Sequence, residues 1–317
     1  MYVSRSRLQW LWEDPRWLDL MAAVRYGDTL VGLLPIAVCR APRWYDPLYD
    51  VSELTGDPGY APSGTCLIGG RADLRASMLF DPALDHGERR EVADRAVHSA
   101  MEFARAQSRR CVALYLPAEE AELSAALSDA GMTPRPAPGR HVIRWPEPTL
   151  DSYLASLTRS HRGIVRADWR IRDNLGLETK VTDWESVIAP AAPLISISLV
   201  NHGYASRSEL VAMRLRRWHQ VVGDRGFALC AIASGKCTGY AFCWHDGDRV
   251  IVADVAFAHG SAEVDRASYL ELMIYGPLAA CCDLGASVLD LGIYASEPKR
   301  LRGAAQEPQD QWVQQDG

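Results

Sequence analysis

Lysine is almost missing from this chain: Lys180, Lys236 and Lys299 are the only three, and the other 31 of its 34 basic residues are arginine. Any step that needs an ammonium group therefore has three candidates. An excess of positive charge is missing too. The formal net charge is −6, whereas a protein that coats nucleic acid carries a strongly basic domain; only a local basic groove is compatible. No stretch reaches the ~18 continuous apolar residues of a membrane span, and Met1 to Arg7 do not open into the apolar core of a secretory signal. A cytoplasmic protein with no membrane partner is expected. The eight cysteines form no C-x-x-C pair, and most of them fall inside apolar patterns, as buried thiols do in a reducing compartment. Cys243, His245 and Asp246 come nearest to a zinc set, but neighbouring strand residues face opposite ways and the spacing is wrong, so no metal is expected. No G-x-S-x-G elbow and no certifiably electropositive cysteine is present, which disfavours a covalent nucleophile.

The 317 residues with a 48% hydrophobic share are enough for two cores. In the second half, three apolar runs, Phe227 to Ala233, Thr238 to Trp244 and Val250 to Phe257, are separated by turns at Ser234-Gly235-Lys236 and Asp246-Gly247-Asp248, as in a three-stranded meander. Tyr269, Leu270, Leu272, Met273, Tyr275, Leu278 and Cys282 then recur at helical spacing, with Gly285 as a left-handed stop. Val288 to Leu291 gives a fourth strand.

The first half repeats this order: strands over 20–26, 30–38 and 65–68, a helix over 87–108, a strand over 112–116, a helix over 118–130 and a closing strand over 141–145. Tandem copies of one fold explain this economically; convergence on a common pattern is the alternative. Two prolines in Pro146-Glu147-Pro148 mark the join. The expected domains are 1–146, a degenerate copy, and 147–317. Residues after Gln306 are polar and expected to fray. The Ala41 to Pro62 loop, with Trp44, Tyr45, Tyr49 and Tyr60, is either a pocket wall or a packed surface loop.

Leu150 to Leu175 reads as one long helix. Arg159, Arg162, Arg166 and Arg170 lie three, four and four apart, hence on one face. Like charges so placed repel by a few tenths of a kcal/mol per pair, so an anion should offset them. Asp168 and Asp173 are one source of it; a phosphate is the other, since the guanidinium fork makes paired bonds to phosphate. His161 and Arg172 would extend such a patch. A second basic group, Arg214, Arg216 and Arg217 with Trp218 and His219, follows a helix start where Ser206 and Glu209 fit the capping-box spacing.

The order of three antiparallel strands, helix and strand resembles the core of the GNAT acyltransferase superfamily, over about residues 150 to 317. Asp290-Leu291-Gly292 and the K-x-x-x-G spacing of Lys299 to Gly303 are more closely similar to the Fem-type aminoacyl transferases, although Pro298 and Arg302 stand where that pattern has aromatics. The resemblance implies an α/β (α+β) fold of two tandem GNAT-like domains, with mixed, mostly antiparallel sheets flanked by helices. It also implies direct transfer of an activated acyl or aminoacyl group to a small-molecule amine or hydroxylamine. Coenzyme-A users of the superfamily carry a glycine-rich pyrophosphate loop before the central helix. Here His259 to Arg266 holds one glycine and two acids. The expected co-substrate is therefore an aminoacyl-tRNA, its acceptor arm held by the stripe at Arg159, Arg162, Arg166 and Arg170, with no tightly bound cofactor. An acyl-CoA donor, or a non-catalytic binding protein on this fold, are the alternatives.

The resemblance places oxyanion-facing backbone N–H groups at Val255 and Ala256 and a cation beside the ester at Lys299, which is otherwise a surface lysine. Asp254 and Asp290, each at a strand position from which site residues project, are candidate bases or else buried carboxylates satisfied by backbone N–H groups. Tyr294 is the candidate acid toward the leaving group.

Overall fold

The computed structural model describes residues 14–44, 46–71, 74–201, 206–258 and 261–314. Along the chain these form β1 (Trp17–Tyr26), β2 (Thr29–Cys39), α1 (Val51–Thr55), β3 (Thr65–Ile68), β4 (Leu79–Phe80), α2 (His86–Ala106), β5 (Arg110–Pro117), α3 (Ala121–Asp129) and β6 (Met132–Arg144). Then come α4 (Leu150–Ser156), α5 (Arg159–Asn174), β7 (Glu178–Thr182), α6 (Trp184–Asn201), α7 (Ser208–Val222), β8 (Gly226–Ala233), β9 (Lys236–Asp246) and β10 (Arg249–Phe257). The chain closes with α8 (Ala262–Leu270), a π-helical turn (Glu271–Tyr275), α9 (Gly276–Leu284), β11 (Val288–Asp290), α10 (Ser296–Arg300) and β12 (Ala305–Gln314).

The chain divides into two compact units, Met1–Gly139 with Glu307–Gly317, and Arg140–Gln306. This differs from the expected division after residue 146. The last residues of β6 pair with β11, Val142 opposite Asp290 and Arg144 opposite Val288, so the strand itself carries the chain into the second unit before the prolines are reached. Nor do residues 307–314 fray. Within β12, Asp310 and Trp312 lie opposite Leu116 and Ala113 of β5, and the polar Gln309 and Gln311 are buried because their amides donate to carbonyl oxygens of Leu74, Tyr115 and Leu54 at 3.0–3.1 Å.

In the first unit, strands run in the order β1-β2-β3-β5-β12, with β3 and β5 parallel. One face of α2, with Val92, Ala96, Val97, Ala100 and Ala104, packs on Leu34, Ile36, Cys66 and Ile68. Alanine at so many helix positions lets the helix lie close to the sheet. Asp85 caps it in a full capping box with Glu88.

The second unit orders its strands as the end of β6, then β11-β10-β9-β8-β7. Pairing is antiparallel throughout except β10 with β11. One face packs on α5, α8, the π turn and α9 through Val165, Leu270, Leu272, Ile274 and Leu278; the other packs on α6 and α7 through Trp184, Ile188, Ile195 and Leu215.

The helix expected over 150–175 is two helices. Leu157 is extended (ψ 151°) and its side chain is buried, and Thr158 starts α5 by accepting from the His161 N–H at 3.3 Å. The Ser206/Glu209 capping box does not form either: α7 begins after Arg207, with no side-chain cap.

Candidate functional site

The parallel pair β10/β11 has only three rungs, Arg249 to Ile251 opposite Val288 to Asp290. Beyond them the strands part. Leu291 and Gly292 stay with β6, exchanging bonds with His141 at 2.9 Å, while Val255 to Phe257 continue on β9 alone. Among the described residues no other strand pairs with this edge of β10. A bulge at Ala253 accompanies the parting, and bulges re-aim side chains where a strand passes a site.

The corresponding parallel pair of the first unit, β3/β5, also has three rungs, Thr65 to Leu67 opposite Arg110 to Val112. There the chain fills its own gap. Ala76 N–H donates to Tyr115 O at 3.1 Å, Ser77 N–H to Gly69 O at 3.2 Å, and the Gln309 amide bridges Leu74 O and Tyr115 O. The aromatic loop is packed as well. Tyr49 donates to Arg71 O, Trp44 to Tyr60 O and Tyr60 to Gln314 O. Tyr60 also borders a polar cavity of about 270 Å³ with Asp57, Arg110 and Arg135. Tyr45 lies outside the described residues.

At the parting of β10 and β11, Asp290 is fully buried, 0% exposed. Its Oδ1 accepts from Arg140 Nη2 and from the Gly292 N–H, both at 3.0 Å, and its Oδ2 from Arg140 Nε at 3.0 Å and Arg249 Nη1 at 3.3 Å. These four bonds take up the lone-pair sites of both oxygens of a fully buried group, whereas Asp254 accepts only two, so the Asp290 carboxylate cannot receive an acceptor's proton. As a base this candidate is corrected: Asp290 fixes where β11 ends. Lys299 is not a surface lysine. It is 2% exposed, and its ammonium donates to Leu291 O at 2.5 Å. Burial pulls its pKa down to about 8; the Asp290 charge opposes this and Arg140 adds to it. His141, buried beside it, is also lowered, by burial and then by Lys299.

Asp254 is half-buried on β10 and forms an ion pair with Arg214 of α7. Its other oxygen accepts from the Val255 N–H at 3.1 Å. That amide is therefore not the free donor expected; Asp254 already holds it. Ala256 is buried opposite Tyr240. Tyr294, 55% exposed, stands on the loop after β11.

The K-x-x-x-G spacing has a packing explanation. Gly303 has φ +89°, and a Cβ there would stand 2.4 Å from Leu157 Cδ2. Between them in the spacing, Arg302 turns inward. Its Nε and Nη2 donate to Asp168 Oδ2 of α5 at 2.9 and 2.7 Å, and Tyr275 of the π turn donates to the same oxygen at 2.6 Å. This buried triad ties α5 to the site.

With Asp168 so committed and Asp173 paired to Arg172 at 2.9 Å, the stripe loses its internal counterions. Among the described residues none of Arg159, Arg162, Arg166 and Arg170 has a carboxylate in ion-pair reach. Arg162 and Arg170 reach only the carbonyls of Leu154 and Arg166, each at 3.4 Å. In the second basic group, Arg216 pairs with Glu185 and Trp218 packs on Trp184. Of the loop before the central helix, His259 and Gly260 lie outside the described residues; Ser261 caps α8, with Glu263 and Asp265 in its first turn.

Sequence reasoning missed Arg140, His141 and Arg249, whose partners are distant in the chain, and Glu271. The Glu271 carboxyl is buried in the π turn, accepts from Thr179 Oγ1 at 2.8 Å, and leaves Oε2 without a partner; burial raises its pKa. Short π segments within helices recur at functional sites.

No family model matches the chain, and no curated protein matches it. Solved structures do. FemX superposes with a TM-score of 0.61 at 11% identity, over 99% of this chain and 96% of that one. The C-terminal domain of a lysylphosphatidylglycerol synthetase from Agrobacterium fabrum gives 0.57 at 12% identity, over 93% and 84%. L-PGS from Bacillus licheniformis gives 0.56 at 8%, over 90% and 82%. At these identities the likeness is one of fold: the chain shares the fold of FemX and of these synthetase domains.

Proposed function

We propose that this Fem-like fold serves as an acyltransferase, which passes an aminoacyl group from an aminoacyl-tRNA to a small amine or hydroxylamine. The observation that carries the proposal is the arginine stripe on α5, left without carboxylate partners because Asp168 is locked to Arg302 and Tyr275. Four guanidinium groups on one helix face suit a ribose-phosphate backbone. The acidic first turn of α8, Glu263 and Asp265, repels a pyrophosphate at a helix start, which disfavours an acyl-CoA donor.

In this mechanism the reacting ester lies in the parting of β10 and β11 in the second unit, while the first unit, its own gap filled, acts as the degenerate copy. Asp254 takes the proton of the incoming amine, and its ion pair with Arg214 holds the carboxylate in place. The Lys299 ammonium supplies positive charge where the tetrahedral oxyanion develops, and Tyr294 protonates the leaving ribose oxygen. A fixed donor aimed at such an oxyanion is worth ~2.7–4 kcal/mol, and pairing two substrates in attack geometry contributes ~7–11 kcal/mol more. No covalent step on the protein is needed.

The test is incubation of the protein with charged tRNA and a panel of amine acceptors. An acylated product whose formation is abolished by RNase treatment of the donor supports the proposal. Product formed from acyl-CoA alone, or insensitive to RNase, overturns it; no product from either donor returns the fold to a binding role.

A further inference from the structure

Strands β8 and β9 join through Ser234 and Gly235, and their register slips by one. Ala231 lies opposite Gly239, yet Ile232 lies opposite Cys237, so Thr238 is an extra residue. A bulge turns every side chain beyond it to the other face. In an unbroken ladder Cys237 would share the face of Gly239, which looks onto Leu272. With the bulge it shares the face of Cys230 instead, and the two sulfurs stand 3.2 Å apart. The bulge is held from two sides: the Thr238 hydroxyl donates to Ala231 O at 3.2 Å and accepts from Ser268 of α8 at 2.9 Å.

Proximity and accessibility together single out this pair. Cys237 is exposed and Cys230 half-buried, whereas Cys39, Cys66, Cys111, Cys243 and Cys281 are buried; Cys282 is half-buried too, but lies on α9, outside this strand pair. We propose that Cys230 and Cys237 are a redox-modification site, closing to a cross-strand disulfide by exchange with a low-molecular-weight disulfide.

The exchange has two steps. The Cys237 thiolate attacks one sulfur of the reagent RSSR, forms a Cys237 mixed disulfide and expels RS⁻. Cys230 then loses its proton to solvent, attacks Cys237 Sγ and expels the second RS⁻. Two electrons pass from the cysteines to the reagent, and their two protons end on two RSH. The sulfurs must approach by about 1.2 Å to reach the ~2.05 Å of a disulfide. The order follows from burial, which with the Cys237 contact pushes the Cys230 thiol up to about 12, against the opposing charge of Lys180. The exposed thiol meets the reagent first.

The reduced full-length protein is treated with glutathione disulfide, quenched in acid, alkylated and mapped by peptide mass spectrometry. The expected result is one linked peptide pair joining Cys230 to Cys237, with the other cysteines alkylated. Cys230→Ser should instead hold a glutathione adduct on Cys237, and Cys237→Ser should leave Cys230 alkylated. Deleting Thr238 removes the bulge and should also trap the adduct. A persistent adduct on wild-type Cys237 with Cys230 alkylated, a link between other cysteines, or full alkylation of both overturns the proposal.

Discussion

Lys299 shows at the scale of one residue how burial sets chemistry. Its ammonium has left water for a site beside Leu291 O, and its pKa falls from 10.5 to about 8. The folded state therefore releases this proton before the unfolded chain does. Between about pH 8 and 10.5 the unfolded chain binds more protons, so stability from this group rises with pH across that window and is at its lowest below it. Lys299→Met should flatten that rise, measured by denaturant melts of both proteins at several pH values. Transfer activity that depends on the ammonium should fall above about pH 8 in the wild type. Asp290→Ala leaves the buried Arg140 and the half-buried Arg249 without their carboxylate; breaking such a buried pair costs ~3–5 kcal/mol, which a urea midpoint would read. Gly303→Ala forces a side chain into a left-handed backbone against Leu157 and should cost roughly 1–3 kcal/mol. The lysine and glycine were legible as a motif; that Arg302 between them turns inward to Asp168 was not, because 134 residues separate the partners.

Among the elements, strands β8, β9, β10 and β11 were legible because each is an apolar run bounded by Gly or Asp turns, and the meander β8-β9-β10 formed where its pattern placed it; the polar β7 was not. Helix α6 was not. It carries Pro190 and Pro193 inside its length, residues that ordinarily mark a helix end, and burial of Trp184, Ile188, Ala191 and Ile195 overrides that local signal. The break between α4 and α5 was missed for the converse reason: helical periodicity runs through it, and the packing of Leu157 against Gly303 together with the Thr158 cap fixes it. On α5 the arginine face remains outward. Replacing Arg159, Arg162, Arg166 and Arg170 by glutamine should leave stability within ~0.5 kcal/mol. Binding of tRNA should weaken, and every phosphate that is no longer neutralised should take roughly 0.7–0.9 off the slope of log K against log salt. Filter binding across a salt series reads both.

For the molecule as a whole, the end of the chain belongs to the first unit. Ending it after Gln306 removes the strand that pairs with β5, and strips Cys111 N–H and Tyr115 O of the Gln314 and Gln309 side chains. Hydrogen exchange should then rise sharply in β5 of the truncated protein while β8, β9 and β10 keep their protection; loss of protection in both units alike would contradict two separate cores. The tandem organisation could be read from the repeated order of elements. The return of β12 could not, since a strand rich in glutamine carries no apolar run and is buried only because its amides meet backbone carbonyls.

The sequence by itself determined the class of fold, the two copies of it and the outward arginine face, because periodicity and turn residues act within a few positions of one another. The tertiary structure alone decided where β10 and β11 part, that Asp290 is a buried anchor, and that a bulge brings two cysteines together. Each of these depends on groups far apart in the chain meeting away from water, where an unpaired charge or an unmet backbone group is costly, and no local pattern records which partner will arrive.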